Sequence, residues 1–237
     1  MELHQVSGEE AARQLDTDLQ RGLSRAQVEK RRARWGKNEI QEERRRSLIA
    51  RFFSQFQDVM VLILLAAAGA SFAVSWLRGE GDYADPVIIL AIVVCNAVIG
   101  TVQEWKADQA IAALKKLSSP HATVVREGRK QVVESSQLVP GDVVILQAGD
   151  LVPADIRLVK AVELRAEESA LTGESVPVEK DAAARCREDA PLGERKNMVF
   201  AGTGITTGAG AGVVAAIGMD TAMGKIARML SREKAPQ

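Results

Sequence analysis

Two uncharged, apolar runs divide this chain into regions with different patterning. Val59–Leu77 and Val87–Val102 contain no charged side chain. The first is long enough to cross the hydrocarbon core of a bilayer, which takes about 20 apolar residues at 1.5 Å of rise each. The second reaches that length when Tyr83–Pro86 and Gln103–Trp105 lie in the interfaces. Behind it, Ala107, Ala110, Ile111, Leu114 and Leu117 keep a helical period that stops at Ser118-Ser119-Pro120. The pattern predicts a hairpin of two transmembrane helices, one over 56–78 and one over 83–117 that continues as a cytoplasmic stalk. Two helices buried in a soluble core would give the same runs. A cleaved leader would not, because a charged segment precedes the first run.

Ahead of that run, Ser7 and Ser24 each stand three residues before a Glu or Gln, the spacing of a capping box. The second predicts a helix running to Trp35 and stopping at Gly36. Val28, Arg31 and Trp35 share a face of it, so we expect a solvated, charged helix whose role is packing. Residues 1–55 read as a helical N-terminal segment. Beyond His121, short strands and turns take over. Ala122–Arg126, Glu127-Gly128 and Lys130–Val133 read as a hairpin. Further strands are expected at Val143–Leu146, Ile156–Val159, Met198–Phe200 and Gly212–Ala216. Asp181–Gly193 reads as a surface excursion and Thr221–Leu230 as a short helix. Many short strands at close turn spacing predict a distorted jelly roll or barrel over 118–237. The fold class is that of an α+β membrane protein.

Charge orients the hairpin. Arg44, Arg45, Arg46 and Arg51 precede the first span, and Lys106, Lys115 and Lys116 follow the second. The connection between them holds Arg78 against Glu80, Asp82 and Asp85. By the positive-inside rule both chain ends are cytoplasmic. The chain carries 31 basic and 31 acidic residues, so charge gives no argument for a nucleic-acid partner. Its two cysteines, Cys95 within a span and Cys186 in a polar stretch, make no disulfide framework.

The strongest candidate for chemistry is Thr172-Gly173-Glu174-Ser175, one carboxylate between two hydroxyls on a loop that Gly173 lets bend sharply. A carboxylate so carried can orient a water molecule and accept its proton. Alone, these four residues would equally suit a surface turn. Asp142, Asp150 and Asp155 lie in Gly/Pro turns, where Asp satisfies local backbone donors, and are expected to be structural. Glu104 is expected at the membrane interface, Asn96 in a bond between helices.

The wider context is Leu138-Val-Pro-Gly-Asp-Val143, Ala148-Gly-Asp-Leu-Val-Pro-Ala-Asp155, Glu168-Ser-Ala-Leu-Thr-Gly-Glu-Ser-Val-Pro-Val178 and Lys196-Asn-Met-Val-Phe-Ala-Gly-Thr203, with Asn96–Gly100 and Gln103-Glu104-Trp105 upstream. In their order and spacing, these resemble the N-terminal part of a P-type cation-transporting ATPase of the calcium-pump-like branch. Ala166-Glu167 departs slightly from the usual Val-Asp of that family. The resemblance implies an actuator domain that brings Thr172–Ser175 onto an aspartyl phosphate formed elsewhere in the pump. Glu174 would position the attacking water and take its proton. Thr172 and Ser175 would hold the loop and the water network, and Gly173 would allow close approach. ATP and Mg2+ are implied for the complete pump, with no cofactor or metal site in this chain. The transported cation, calcium by preference, and the lipid bilayer are the implied partners, in a multi-pass plasma-membrane protein.

No Asp-Lys-Thr-Gly-Thr segment occurs in the chain. The phosphorylation, nucleotide-binding and later transport-helix portions are therefore expected elsewhere, and this piece is expected to be inactive alone. Two other readings are a membrane-anchored regulator or pseudo-pump docking on a full-length pump, and a small oligomeric channel.

Overall fold

A computed structural model describes residues 3–40, 47–78, 83–117 and 120–233. Arg44–Arg46, Glu80, Asp82 and Ser118-Ser119 lie outside the described residues, as do the side chains of Arg78, Leu114, Lys115, Lys116 and Leu117. The chain forms two compact units, Met1–Gln41 with Ser119–Gln237, and Glu42–Ser118.

The first unit is an antiparallel sheet with two helices from the N-terminus. Helix α1 (Gly8–Gln14) starts at Ser7, whose hydroxyl accepts from the Glu10 amide. Helix α2 (Arg25–Trp35) opens on the full reciprocal capping box of Ser24 and Gln27 and closes at Gly36. Strands β1 (His121–Arg126) and β2 (Arg129–Glu134) form the expected hairpin. Its turn residues Glu127 and Gly128 have φ of 53° and 75°, the doubly positive signature of a type I′ turn. The remaining strands are β3 (Val143–Gln147), β4 (Asp155–Glu167), β5 (Val178–Glu179), β6 (Met198–Val199) and β7 (Gly204–Ala216). The sheet order is β2-β1-β3-β7-β4-β5, with β6 also on β4.

Two strands run longer than their sequence suggested. β4 continues to Glu167 and β7 begins at Gly204, and they pair with several register shifts that bend the sheet. Gly208, Gly210 and Gly212 of β7 are sites of close backbone approach. At Gly208 (φ +78°) an added Cβ would lie 2.3 Å from the carbonyl oxygen of Glu163, itself at φ 49°. Only glycine fits such a crossing.

Val124, Leu146, Ile156, Leu158, Leu164, Val199 and Val214 are among the core residues. Its largest fully buried side chain is charged. Arg157 is 1% exposed and donates to the carbonyls of Leu3, Val6, Leu158, Ala182 and Asn197. It ties the N-terminal segment and the start of the 181–193 excursion to β4. That excursion is consequently anchored: Asn197 also donates to Ala184, and His4 bonds the carbonyls of Arg187 and Glu188. Helix α2 is likewise more than a solvated helix. Arg31 is 9% exposed and donates to Pro140, Leu15 and Asp16 carbonyls, while Trp35, expected on that face, is exposed.

The second unit holds α3 (Leu48–Gln55), α4 (Val59–Arg78) and α5 (Ala84–Leu117). Val59–Leu77 and Ala84–Ile111 each reach a mean hydropathy of 2.2, yet only 11% and 17% of their apolar windows are buried. Core helices of a soluble fold would be mostly covered; these present Leu, Ile, Val and Phe side chains outward, as lipid-facing helices do. Ala68 on α4 and Pro86, Val93 and Ala97 on α5 are buried, and the two helices pack on each other. Asn96 is exposed and makes no hydrogen bond among the described residues, so it does not bond α5 to α4. Helix α3 packs on α5 through one ridge. Arg51, 7% exposed, pairs with Asp108 and lies 3.9 Å from Glu104, while Gln55 lies close against Gly100.

Candidate functional site

The Thr172–Ser175 loop springs from two paired strands. β4 and β5 meet at Ala166↔Val178 and Arg165↔Glu179, and the intervening chain turns through the short helix α6 (Ser169–Thr172). The amides of Leu171 and Thr172 donate to the Glu168 carbonyl at 2.9 and 3.0 Å, and Gly173 closes the turn by donating to Ser169 at 2.9 Å. Gly173 stands at φ 78°, ψ −3°, a left-handed cap that favours glycine. A Cβ there would meet nothing within 4 Å, so the surface beside Glu174 is open.

The hydroxyl of Thr172 holds the loop from within. It donates to the Glu168 carbonyl at 3.1 Å and accepts from the Glu174 amide at 3.2 Å. Glu174 and Ser175 are exposed, and Ser175 makes no hydrogen bond among the described residues. Thr172 therefore carries the loop's internal bonding, and Ser175 only borders it. Leu171, Thr172, Glu174 and Val178 face Pro191, Leu192, Gly193 and Glu194 across an open cleft of about 450 Å³. An added Cβ on Gly193 would lie 3.1 Å from the Thr172 methyl, so the far end of the excursion backs the loop.

Below the loop lies a pair that sequence reasoning missed. The Lys180 ammonium is 2.5 Å from the Glu168 carboxylate, and both side chains are fully buried. Burial raises the pKa of Glu168 and lowers that of Lys180, each opposed by the other's charge. Strand alternation held the signal: stepping by two from buried Ala166 and half-buried Val178 points Glu168 and Lys180 to the same inner face.

The three turn aspartates are structural. Asp150 accepts from the nearby Gln147 amide. Asp142 accepts from Val139 and also pairs with Arg126. Asp155 departs from the local pattern: its oxygens accept from the distant amides of Ala201 at 3.0 Å and Ala222 at 2.7 Å. It thereby fixes the start of helix α7 (Ala222–Glu233), and burial raises its pKa despite those donors. Glu104, its side chain 45% exposed, lies 3.9 Å from Arg51. No cluster of three or more His, Cys, Asp or Glu able to hold a metal ion occurs among the described residues.

Comparison with known proteins bears on the whole chain. A family model described as P-type ATPase actuator domain matches residues 116–231, and one described as cation transporter/ATPase N-terminus matches residues 3–71. A calcium-transporting ATPase of Bacillus subtilis is 45% identical over 230 residues, covering 97% of this chain and 25% of that protein. The probable cation-transporting ATPase F of Mycobacterium tuberculosis is 40% identical over 227 residues, covering 96% and 24%. The endoplasmic reticulum-type calcium-transporting ATPase 2 of Arabidopsis thaliana is 40% identical over 234 residues, covering 94% and 22%. The chain thus spans about a quarter of the length of the curated relatives it matches.

Proposed function

This chain belongs to the P-type cation-transporting ATPases, and from that premise we propose that it supplies the dephosphorylation loop of an ATP-driven pump and couples that loop to the membrane. Calcium is the favoured cargo, because relatives along this whole length are calcium-transporting ATPases. ATP and its accompanying Mg2+ act in the complete pump, at portions outside these residues. We infer a plasma-membrane pump with both ends of this chain cytoplasmic; the basic residues flanking the hairpin support that orientation.

The chemistry asked of Glu174 is the hydrolysis of an aspartyl phosphate. A water held by the Glu174 carboxylate gives up its proton to that carboxylate as its oxygen bonds to phosphorus. The bond from phosphorus to the aspartate oxygen breaks, releasing inorganic phosphate and a free aspartate carboxylate. Thr172 keeps the Glu174 backbone in place, and Gly173 leaves no side chain between the carboxylate and an approaching phosphoryl group. The observation that carries this reading is an exposed carboxylate on a loop whose backbone is bonded internally and whose tip is open.

Glu174→Gln in the complete pump tests it. The amide cannot take the proton, so phosphoenzyme formed from ATP should persist while its formation continues. Normal turnover in that variant would end the assignment.

A further inference from the structure

Glu168 and Lys180 are fully buried, and the hydrolysis described above makes no use of them. Apart from the contact they make with each other, neither the carboxylate oxygens nor the ammonium has a hydrogen-bond partner among the described residues. The Phe200 ring lies 5.7 Å from the ammonium and offers only a weak additional contact. A buried pair with unfilled bonding capacity is a poor source of stability, and apolar side chains of similar volume often serve as well or better. Its location suggests another role. Glu168 is the residue from which α6 springs, and its carbonyl receives the Thr172 hydroxyl that in turn receives the Glu174 amide. Lys180 is held on the opposite stem, its own amide donating to Leu164 at 2.8 Å. A connected path therefore runs from Lys180 to the Glu168 carboxylate, along the covalent frame of Glu168 to its carbonyl, and through the Thr172 hydroxyl to the backbone of Glu174.

We propose that the Glu168–Lys180 pair is the positioning element of the loop: by tying the two stems together on the inner face, it sets the direction in which Glu174 is presented. The inference rests on the role proposed for Glu174. Neither residue meets the reacting atoms; both act through the backbone of α6 and the Thr172 hydroxyl.

The test compares Lys180→Met, the apolar pair Glu168→Met/Lys180→Met and Glu174→Gln in the complete pump. Phosphoenzyme formation from ATP, its rate of decay and the melting temperature are measured for each. Lys180→Met leaves a buried charge unpaired and loses stability as well as rate; the apolar pair removes both charges and keeps the volume. The expected result is an apolar pair that melts with the wild type, forms phosphoenzyme normally, and loses it about ten- to a hundredfold more slowly, the scale of a small misplacement of a reacting group. Wild-type decay in the apolar pair would overturn the proposal while a blocked Glu174→Gln leaves the proposed function standing. Normal turnover in Glu174→Gln would overturn the function and the positioning role together.

Discussion

Gly173 offers a way to separate backbone conformation from steric access at the loop tip. In the left-handed region an L side chain costs about 1–2 kcal/mol, and alanine regains about 0.4–1 kcal/mol by restricting the unfolded chain. Because an added Cβ meets no atom within 4 Å, no clash is added to that balance. Gly173→Ala should therefore cost about 1 kcal/mol, or about 2–4 °C in melting temperature for a domain of this size. Gly173→Asn should cost less, since asparagine tolerates this conformation better than alanine, although its side chain is larger. The two substitutions thus rank oppositely in strain and in bulk. Melting in detergent should give the order Gly, Asn, Ala from most to least stable. Phosphoenzyme decay in the complete pump should give Gly, Ala, Asn from fastest to slowest, if the tip closes onto a phosphoryl group. Decay that followed the stability order, with Asn faster than Ala, would show that glycine serves only the turn, and the close-approach reasoning would fail.

Arg157→Met should be among the most damaging single changes in the sheet unit, at about 4 kcal/mol or more, because it strips the donor from five carbonyls at once, those of Val6, Leu158 and Asn197 buried. Hydrogen exchange should rise first at Leu3–Val6 and around Ala182; unchanged protection there would refute the clamp. Asp155 binds its proton more tightly folded than unfolded, so raising the pH through that interval withdraws stability from the wild type. Asp155→Asn lacks that titration. The wild type's advantage in melting temperature over the variant should therefore be larger at acid pH than at neutrality, and an advantage that grew with pH would contradict the burial argument.

The elements legible in the sequence are those fixed by neighbours in the chain. Ser24 and Gln27 cap a helix three residues away, and Glu127-Gly128 turns a hairpin with its own two backbones. What escaped depends on partners far along the chain. The role of the glycines of β7 shows only where β4 crosses them, with Gly208 pressed against the Glu163 carbonyl. Nothing in the sequence marks Arg157 as buried, because its acceptors are carbonyls, which carry no side-chain signature, and the Leu3 and Val6 carbonyls lie more than 150 positions away. The outward position of Asn96 within this hairpin was not legible, because helical period identifies faces but not which face a neighbour covers; Val93 and Ala97 are the buried positions beside it. At the candidate site the motif residues were visible, but the bonding hierarchy was not. Thr172 carries the loop and Ser175 does not, a distinction that comes from where a four-residue helix ends.

The guanidinium of Arg157 also bears on where this domain ends. Matched to its family, the actuator region runs from residue 116 to 231, as though it were one continuous stretch of polypeptide. Two of the carbonyls that satisfy this buried cation belong to Leu3 and Val6, and Gly8 of α1 sits so close to β4 that a Cβ there would fall 2.7 Å from the Leu158 carbonyl. Arg31 of α2 adds a bond to Pro140 from the same side. The physical unit is therefore discontinuous in covalent order, interrupted by the membrane hairpin and completed by residues that precede it. A piece excised at residue 116 would carry an arginine with part of its solvation left behind, and it is the amino-terminal stretch, threaded back onto the sheet, that makes the domain whole.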